Sequence, residues 1–227
     1  MIGEVVVVDD VPAAYAQLVA DELAAHRALR GDPTRSFRLA CSGGSSGARC
    51  ASALAAREDL DLSSVACYLV DERCVPSDAP ESNARAIRDA LGRRLGELES
   101  FAPMSCEDGP DAYEALLRPV VPLDLVQLGF GPDGHIASLF PGSAALDVTD
   151  RLVTTNLDPS GRNPLPRMTM TYAVLATAKL AVLAVTGTEK RAALAAVASG
   201  EDLPAARVRA RRVVWLCDRD AAEGVLA

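Results

Sequence analysis

Residues Leu123 to Leu128 form an apolar run of strand length, partly β-branched, that stops abruptly at Gly129, Gly131 and Gly134. A short, mostly apolar run bounded by glycine is the pattern of a strand buried on both faces, and such strands belong to parallel sheets covered by helices. The pattern recurs along the chain. Glu4 to Val8, Phe37 to Cys41, Val65 to Val70, Lys179 to Val185 and Val213 to Leu216 read as further strands, with a short one at Leu152 to Thr155. Helical spacing separates them, as from Pro12 to about Arg30, where Tyr15, Leu18, Val19 and Leu23 share a face before Gly31-Asp32-Pro33 breaks the helix. Further helices are expected after Ser82 or Asn83, over Asp111 to Leu117, before Thr177, up to Ala198, and as a closing turn at Ala221 to Leu226. Alternating strands and helices without linker or repeat predict one α/β domain over residues 1–227. The expected architecture is a single doubly wound, mostly parallel sheet with helices on both faces, a Rossmann-like three-layer fold.

Composition excludes several function classes. Aromatic residues are only 4% of the chain, which favours helices on a Val/Leu-rich sheet over a β-sandwich. A net charge of −8 argues against a nucleic-acid or anionic-membrane partner, so an anionic ligand would need a local cluster of cations and amides. No apolar run approaches the roughly 18 residues of a membrane span. The N-terminal MIGEVVVVDDVP lacks the basic start of a signal peptide. Cys41, Cys50, Cys67, Cys74, Cys106 and Cys217 form no CxxC pair and have no histidine cluster beside them. The expectation is no metal, reduced thiols and a cytoplasmic protein.

His135 is one of two histidines and follows the three glycines just past the carboxyl end of a strand, where open α/β sheets place their chemistry. It is the catalytic candidate, with Asp133 beside it. The other, His26, near a helix end, is expected to be a surface or dipole-facing histidine and not catalytic. Ser42, Gly43, Gly44 and Ser45 turn a strand into a helix, which suits a phosphate but equally a plain helix cap. Asp71-Glu72-Arg73 ends another strand and is expected to line the same crevice. Asn156 to Pro166, polar and rich in Pro and Gly, is a lid candidate. Two motif matches fail on context. Gly129-Phe130-Gly131-Pro132-Asp133-Gly134 fits a dinucleotide fingerprint, but only a few residues separate it from Pro141, too few for the required helix. Gly43 to Gly47 fits a nucleophile elbow, but the sole candidate histidine, His135, lies too early for the usual triad order.

Taken together, the motifs resemble the 6-phosphogluconolactonases of the glucosamine/galactosamine-6-phosphate isomerase superfamily. The matching pieces are Ser42 to Ser45, Asp71-Glu72-Arg73 with Ser82-Asn83, Gly131 to His135 with Ala137 to Gly142, Arg167 with Thr169 and Thr171, and Gly187 with Lys190. Cys74 stands where the family commonly has an aromatic, which leaves one pocket wall in question. The resemblance implies hydrolysis of 6-phospho-D-glucono-1,5-lactone in the oxidative pentose phosphate pathway without metal or organic cofactor. His135 would activate water with Asp133 beside it, and amides of the glycine loop would hold the oxyanion. Arg73, Arg167 and Lys190, with the Ser42 to Ser45 turn, would hold the phosphate; Asp71 and Gly134 complete the expected substrate contacts. Two other readings stay open: a sugar-phosphate isomerase/deaminase and a non-catalytic sugar-phosphate-binding module. The deaminases carry a glutamate where this chain has Phe140, and an aromatic where it has Arg73.

Overall fold

In the computed structural model, which describes residues 2–28 and 35–225, the strand-and-helix alternation is present with two additions. The first half comprises β1 (Glu4–Val8), α1 (Val11–Ala28), β2 (Phe37–Cys41), α2 (Gly44–Ala56), β3 (Val65–Leu69), β4 (Asp71–Arg73), α3 (Asn83–Leu91), β5 (Ser100–Ala102) and α4 (Gly109–Leu117). The second comprises β6 (Leu125–Gly129), β7 (Val153–Asn156), β8 (Arg167–Met170), α5 (Tyr172–Leu175), β9 (Leu180–Val185), α6 (Arg191–Ser199), β10 (Arg212–Asp218) and α7 (Arg219–Ala222). The expected end of the first helix at Arg30, its Gly31-Asp32-Pro33 breaker and Leu226 lie outside the described residues.

Seven strands form one parallel sheet in the order β1-β10-β9-β6-β2-β3-β5. All six residues of β9 and all five of β3 are buried. Because successive side chains point to opposite faces, such runs need cover on both sides. On the helical layers, α1, α2 and α3 pack side by side, and α6 packs on α7. From β2 the chain winds outward through β3 to β5, then returns to place β6 on the other side of β2. The loops leaving β2 and β6 therefore diverge, opening a crevice at their carboxyl ends.

The additions correct the sequence reading. Asp71-Glu72-Arg73 does not merely end β3 but forms a strand of its own, β4, and Arg167–Met170, which leads into the expected helix as α5, is itself the strand β8. With β7 they make a second, antiparallel sheet in the order β4-β8-β7. Amides of Val70 and Met170, donating to Cys41 and Val70 carbonyls, hang this sheet from the main one. The thiols are not all reduced: Cys74 and Cys106 are joined in a disulfide, while Cys41, Cys50, Cys67 and Cys217 are free and buried.

His26 stands in the last turn of α1, where the dipole-facing reading put it, but it is not on the surface. Its side chain is 6% exposed, edge-on to Phe37 with ring centroids 5.5 Å apart, and its Nε2 sits 3.0 Å from the Arg35 carbonyl. Beside it Asp124, just before β6, ties three parts of the sheet's amino end. It accepts from Lys179 at 2.7 Å, Arg35 at 3.0 Å and the Arg38 amide at 2.9 Å. Burial acts to raise its pKa, but these donors outweigh burial and hold the carboxyl below its ordinary value. A carboxylate depressed in the folded state contributes stability above its unfolded pKa, and the contribution drains as pH falls through the folded value. Asp124→Ala is expected to cost about 2–3 kcal/mol near neutral pH, less than a fully buried pair because Lys179 and Arg35 reach solvent. Urea unfolding at about pH 7 and about pH 3 should show the gap between the native protein and the variant narrowing in acid.

Candidate active site

At the crevice between β2 and β6 lies a cleft of about 240 Å³. Its walls come from four places: the Ser42 to Ser46 turn, the loop after β6, the small sheet, and the Thr186 to Lys190 connection after β9. The sequence-expected residues Ser42, Gly43, Gly44, Ser45, Asp71, Arg73, His135, Arg167 and Lys190 all line it.

The histidine is held by its own loop. A Cβ at Gly131 would sit 2.1 Å from His135 Nδ1, so only glycine lets the ring lie against the backbone there. Nδ1 is 2.5 Å from Asp133 Oδ1, and the same oxygen accepts the His135 amide at 3.2 Å. Burial acts to raise the pKa of Asp133, but bonding to His135 outweighs it and leaves the carboxyl below its ordinary value. An ionised Asp133 accepts only, which places the ring proton on Nδ1 and leaves Nε2 with a free lone pair. Asp133 itself stands behind the ring and does not line the cleft. Gly134, expected at the substrate, is also off the wall. It is a buried turn residue at φ +78°, with Leu203 packed where a Cβ would be. The loop amides are already committed: Gly129 donates to Ser42 Oγ, Gly131 to the His135 carbonyl, Gly134 to the Gly131 carbonyl and His135 to Asp133. Three of these amides shape the histidine's own loop and the fourth ties it to Ser42.

The β2–α2 turn crosses the switch point. Ser42 donates its hydroxyl to the Gln127 carbonyl and its amide to Gln127 Oε1, so its side chain is a stitch between β2 and β6 and not a free donor. Gly43 lies against Asn83, whose side chain a Cβ would meet at 2.1 Å. α2 starts from Gly43 without a side-chain cap, so its first-turn amides face the cleft uncapped.

The small sheet supplies the charge. Its register sets Arg73 directly opposite Arg167, an arrangement of like charges that destabilises a ladder. Arg73 donates to the Glu81 carbonyl at 2.8 Å. Arg167 is 7% exposed, lies 5.9 Å from the Phe140 ring centroid, and its Nε has no partner. Burial first, then the positive charge of Arg73, lowers its pKa. The ion pairs of the cleft wall are His135 with Asp133 and Lys190 with Glu189 at 3.7 Å; among the described residues neither arginine has one. Immediately before Arg73 in sequence, Glu72 is buried. It accepts from the amides of Arg73, Asn83 and Ala84 and from Ser82 Oγ, closing the amino end of α3. Burial nonetheless raises its pKa.

Sequence reasoning missed Ser138, although it sits within the histidine motif. Fully buried, it bonds to all three strands of the small sheet. Its hydroxyl donates to Asp71 Oδ2 at 2.6 Å, its amide donates to Thr169 Oγ1 at 3.3 Å, and its carbonyl accepts from Asn156 Nδ2 at 2.7 Å. Its neighbour Ala137, on the cleft wall, is held at φ +47°, the one non-glycine residue at positive φ among those described. The expected lid is folded on itself. Asp158 accepts from the amides and side chains of Ser160 and Asn163, bonds that outweigh burial and bring its carboxyl down to about 2. Asn163 thereby reaches the cleft wall.

Comparison with known proteins agrees with this geometry. Residues 9–215 match the family model described as glucosamine-6-phosphate isomerases/6-phosphogluconolactonase. The chain is 36% identical to the 6-phosphogluconolactonase of Rhizobium meliloti over 202 residues, covering 84% of this chain and 86% of that one. It is 37% identical to that of Pseudomonas aeruginosa over 188 residues, 76% of each chain. The crystal structure of the 6-phosphogluconolactonase of Thermotoga maritima superposes with a TM-score of 0.81 at 26% identity, over 95% of this chain and 99% of that one. The mostly parallel sheet, the cleft at its switch point and the extended sequence match have one common explanation: this chain belongs to the glucosamine-6-phosphate isomerase/6-phosphogluconolactonase family.

Proposed function

We propose that the protein is a 6-phosphogluconolactonase that hydrolyses 6-phospho-D-glucono-1,5-lactone to 6-phospho-D-gluconate. The observation that carries the reading is the cross-strand pair Arg73 and Arg167, two cations without a direct ion pair among the described residues, sharing a cleft with a carboxylate-held histidine. A buried guanidinium without a carboxylate is costly, and a phosphate dianion is the ligand that repays it. A Cβ at Gly44 would sit 3.8 Å from Arg73 Nη2, so the uncapped first turn of α2 lies beside the arginines and joins them at the phosphate. Lys190 completes the cation set from the opposite wall.

At the other end of the substrate, Nε2 of His135 takes a proton from water as its oxygen attacks the lactone carbonyl. The tetrahedral intermediate then collapses, the bond from C1 to the ring oxygen breaks, and His135 returns the proton to that oxygen. Asp133 holds the ring and its tautomer and stabilises the imidazolium formed between the two steps. Asp71, with one oxygen taken by Ser138, offers its other to a sugar hydroxyl. No step calls for a cofactor. The reading takes residues 1–227 as one cytoplasmic catalytic domain acting on a small, diffusible sugar phosphate. Its charge of −8 supports neither a nucleic-acid nor a membrane partner.

Against deaminase chemistry stands Phe140, whose ring centroid is 5.0 Å from that of His135 where the deaminases carry their glutamate. An apolar ring supplies no carboxylate for ring opening. A silent sugar-phosphate module would have no use for the His135–Asp133 pair.

His135→Ala is expected to lower kcat by about 10²–10⁴-fold while leaving the Kd for 6-phosphogluconate within about twofold. Proton release from freshly made lactone, corrected for spontaneous opening, with calorimetry on the product, measures both; equal loss of turnover and binding would make the histidine structural. Arg167→Ala is expected to do the reverse, raising KM about 10- to 100-fold with a smaller effect on kcat, the worth of charge-assisted hydrogen bonds to a phosphate.

A further inference from the structure

On the far side of β4 from the cleft, an open groove of about 500 Å³ is walled by the disulfide itself, with Val75, Ser77, Arg88, Met104 and Glu107 around it. The bond joins Cys74, the residue after Arg73, to Cys106, 32 residues on, in the segment between β5 and α4. Both cysteines are only half-buried. The amide of Cys74 donates to the Pro166 carbonyl at 2.8 Å, one step beyond the Arg73–Arg167 pair, so the disulfide anchors the end of the ladder where two like charges are forced together.

The other sulfurs are out of reach. Cys41, Cys50, Cys67 and Cys217 are 6%, 1%, 2% and 0% exposed. Burial pushes the thiols of Cys50 and Cys217 up to about 12, and bonding to Cys41 together with burial raises that of Cys67. Thiolates do the exchanging, so these four are inert and the chemistry of external thiols is confined to one bond.

We propose that Cys74–Cys106 is a thiol–disulfide exchange site through which a dithiol weakens anion binding at Arg73 and Arg167. The inference rests on the anion-site reading of those arginines. One thiolate of the dithiol attacks a sulfur of the protein disulfide, forming a mixed disulfide and releasing the other cysteine as a thiolate. The second thiol of the reagent, as thiolate, then attacks the reagent sulfur of the mixed disulfide and expels the remaining protein cysteine as a thiolate, so the protein gains two thiols and the reagent leaves as its own disulfide. The ladder end then has no covalent tether, and mutual repulsion of the arginines moves Arg73 out of register with Arg167.

The test compares the air-oxidised protein, the same protein after dithiothreitol, and the Cys74→Ser/Cys106→Ser variant. With Ellman's reagent the folded, oxidised protein should show no fast-reacting thiol and the reduced protein two. Calorimetry with inorganic phosphate should show Kd rising roughly fivefold on reduction, the lower end of ordinary site-to-site coupling, and returning on reoxidation. The double variant should bind phosphate as the reduced protein does and ignore dithiothreitol. Fast thiols in the oxidised protein, no phosphate binding by it, or a Kd that reduction leaves unchanged while only the melting temperature falls would each overturn the proposal. Failure of the lactonase reading would show separately, as absent turnover with phosphate binding intact.

Discussion

Two arginines set opposite each other on an antiparallel ladder, with an ion pair to neither among the described residues, are the constraint around which the cleft is built. Left to itself such a pair would splay the strands. The surrounding structure works against that. Glu72 points away from Arg73 and locks β4 to the amino end of α3 through amides of Asn83 and Ala84. Phe140 lies under Arg167, and Arg73 is held to the Glu81 carbonyl. On the anion-site reading a bound anion would relieve this repulsion, and ligand affinity would be drawn from strain that the fold sustains.

The histidine loop and the small sheet are a single mechanical unit because of Ser138. Its three bonds reach β4, β8 and β7, which leaves little freedom in the distance between His135 and the arginines. The residue before it is forced to φ +47°, a strained conformation for alanine that persists only where the neighbours over-determine it. A lactone ring with a phosphate on its far carbon has a fixed span between carbonyl and phosphorus. With His135 as the proposed base and the arginines as the proposed phosphate site, a rigid separation would select for that span, and a flexible one would not. The amides that a glycine-rich loop brings to mind as anion donors are engaged in this rigidity; the uncapped turn of α2 is where unpaired amides remain.

The main sheet was legible because its strands announce themselves. Glu4–Val8, Phe37–Cys41 and Val65–Leu69 are apolar runs ended by charge or glycine, and burial on two faces demands that pattern. The small sheet was legible only at β7, expected as the short strand Leu152 to Thr155. Its other strands are three or four residues long and read Asp-Glu-Arg and Arg-Met-Thr-Met, too short for period-two alternation and too polar for a buried run. The motif order placed His135 and both arginines at one cleft, yet the sequence held no sign that the arginines pair with each other, since register is a tertiary property. Gly134 and Ser42 looked like ligand contacts because glycine and serine at loop positions carry the same letters whether they touch a ligand or a strand. The disulfide was hidden for a similar reason: 32 residues separate Cys74 from Cys106, with no paired spacing to mark them.

The most direct test of the whole account is a crystal structure with 6-phosphogluconate bound. The account predicts the phosphate between Arg73 and Arg167 at the first turn of α2, the C1 carboxylate beside Nε2 of His135, and no movement of the Asp133 contact. A phosphate bound away from the two arginines, or a carboxylate out of reach of His135, would contradict it.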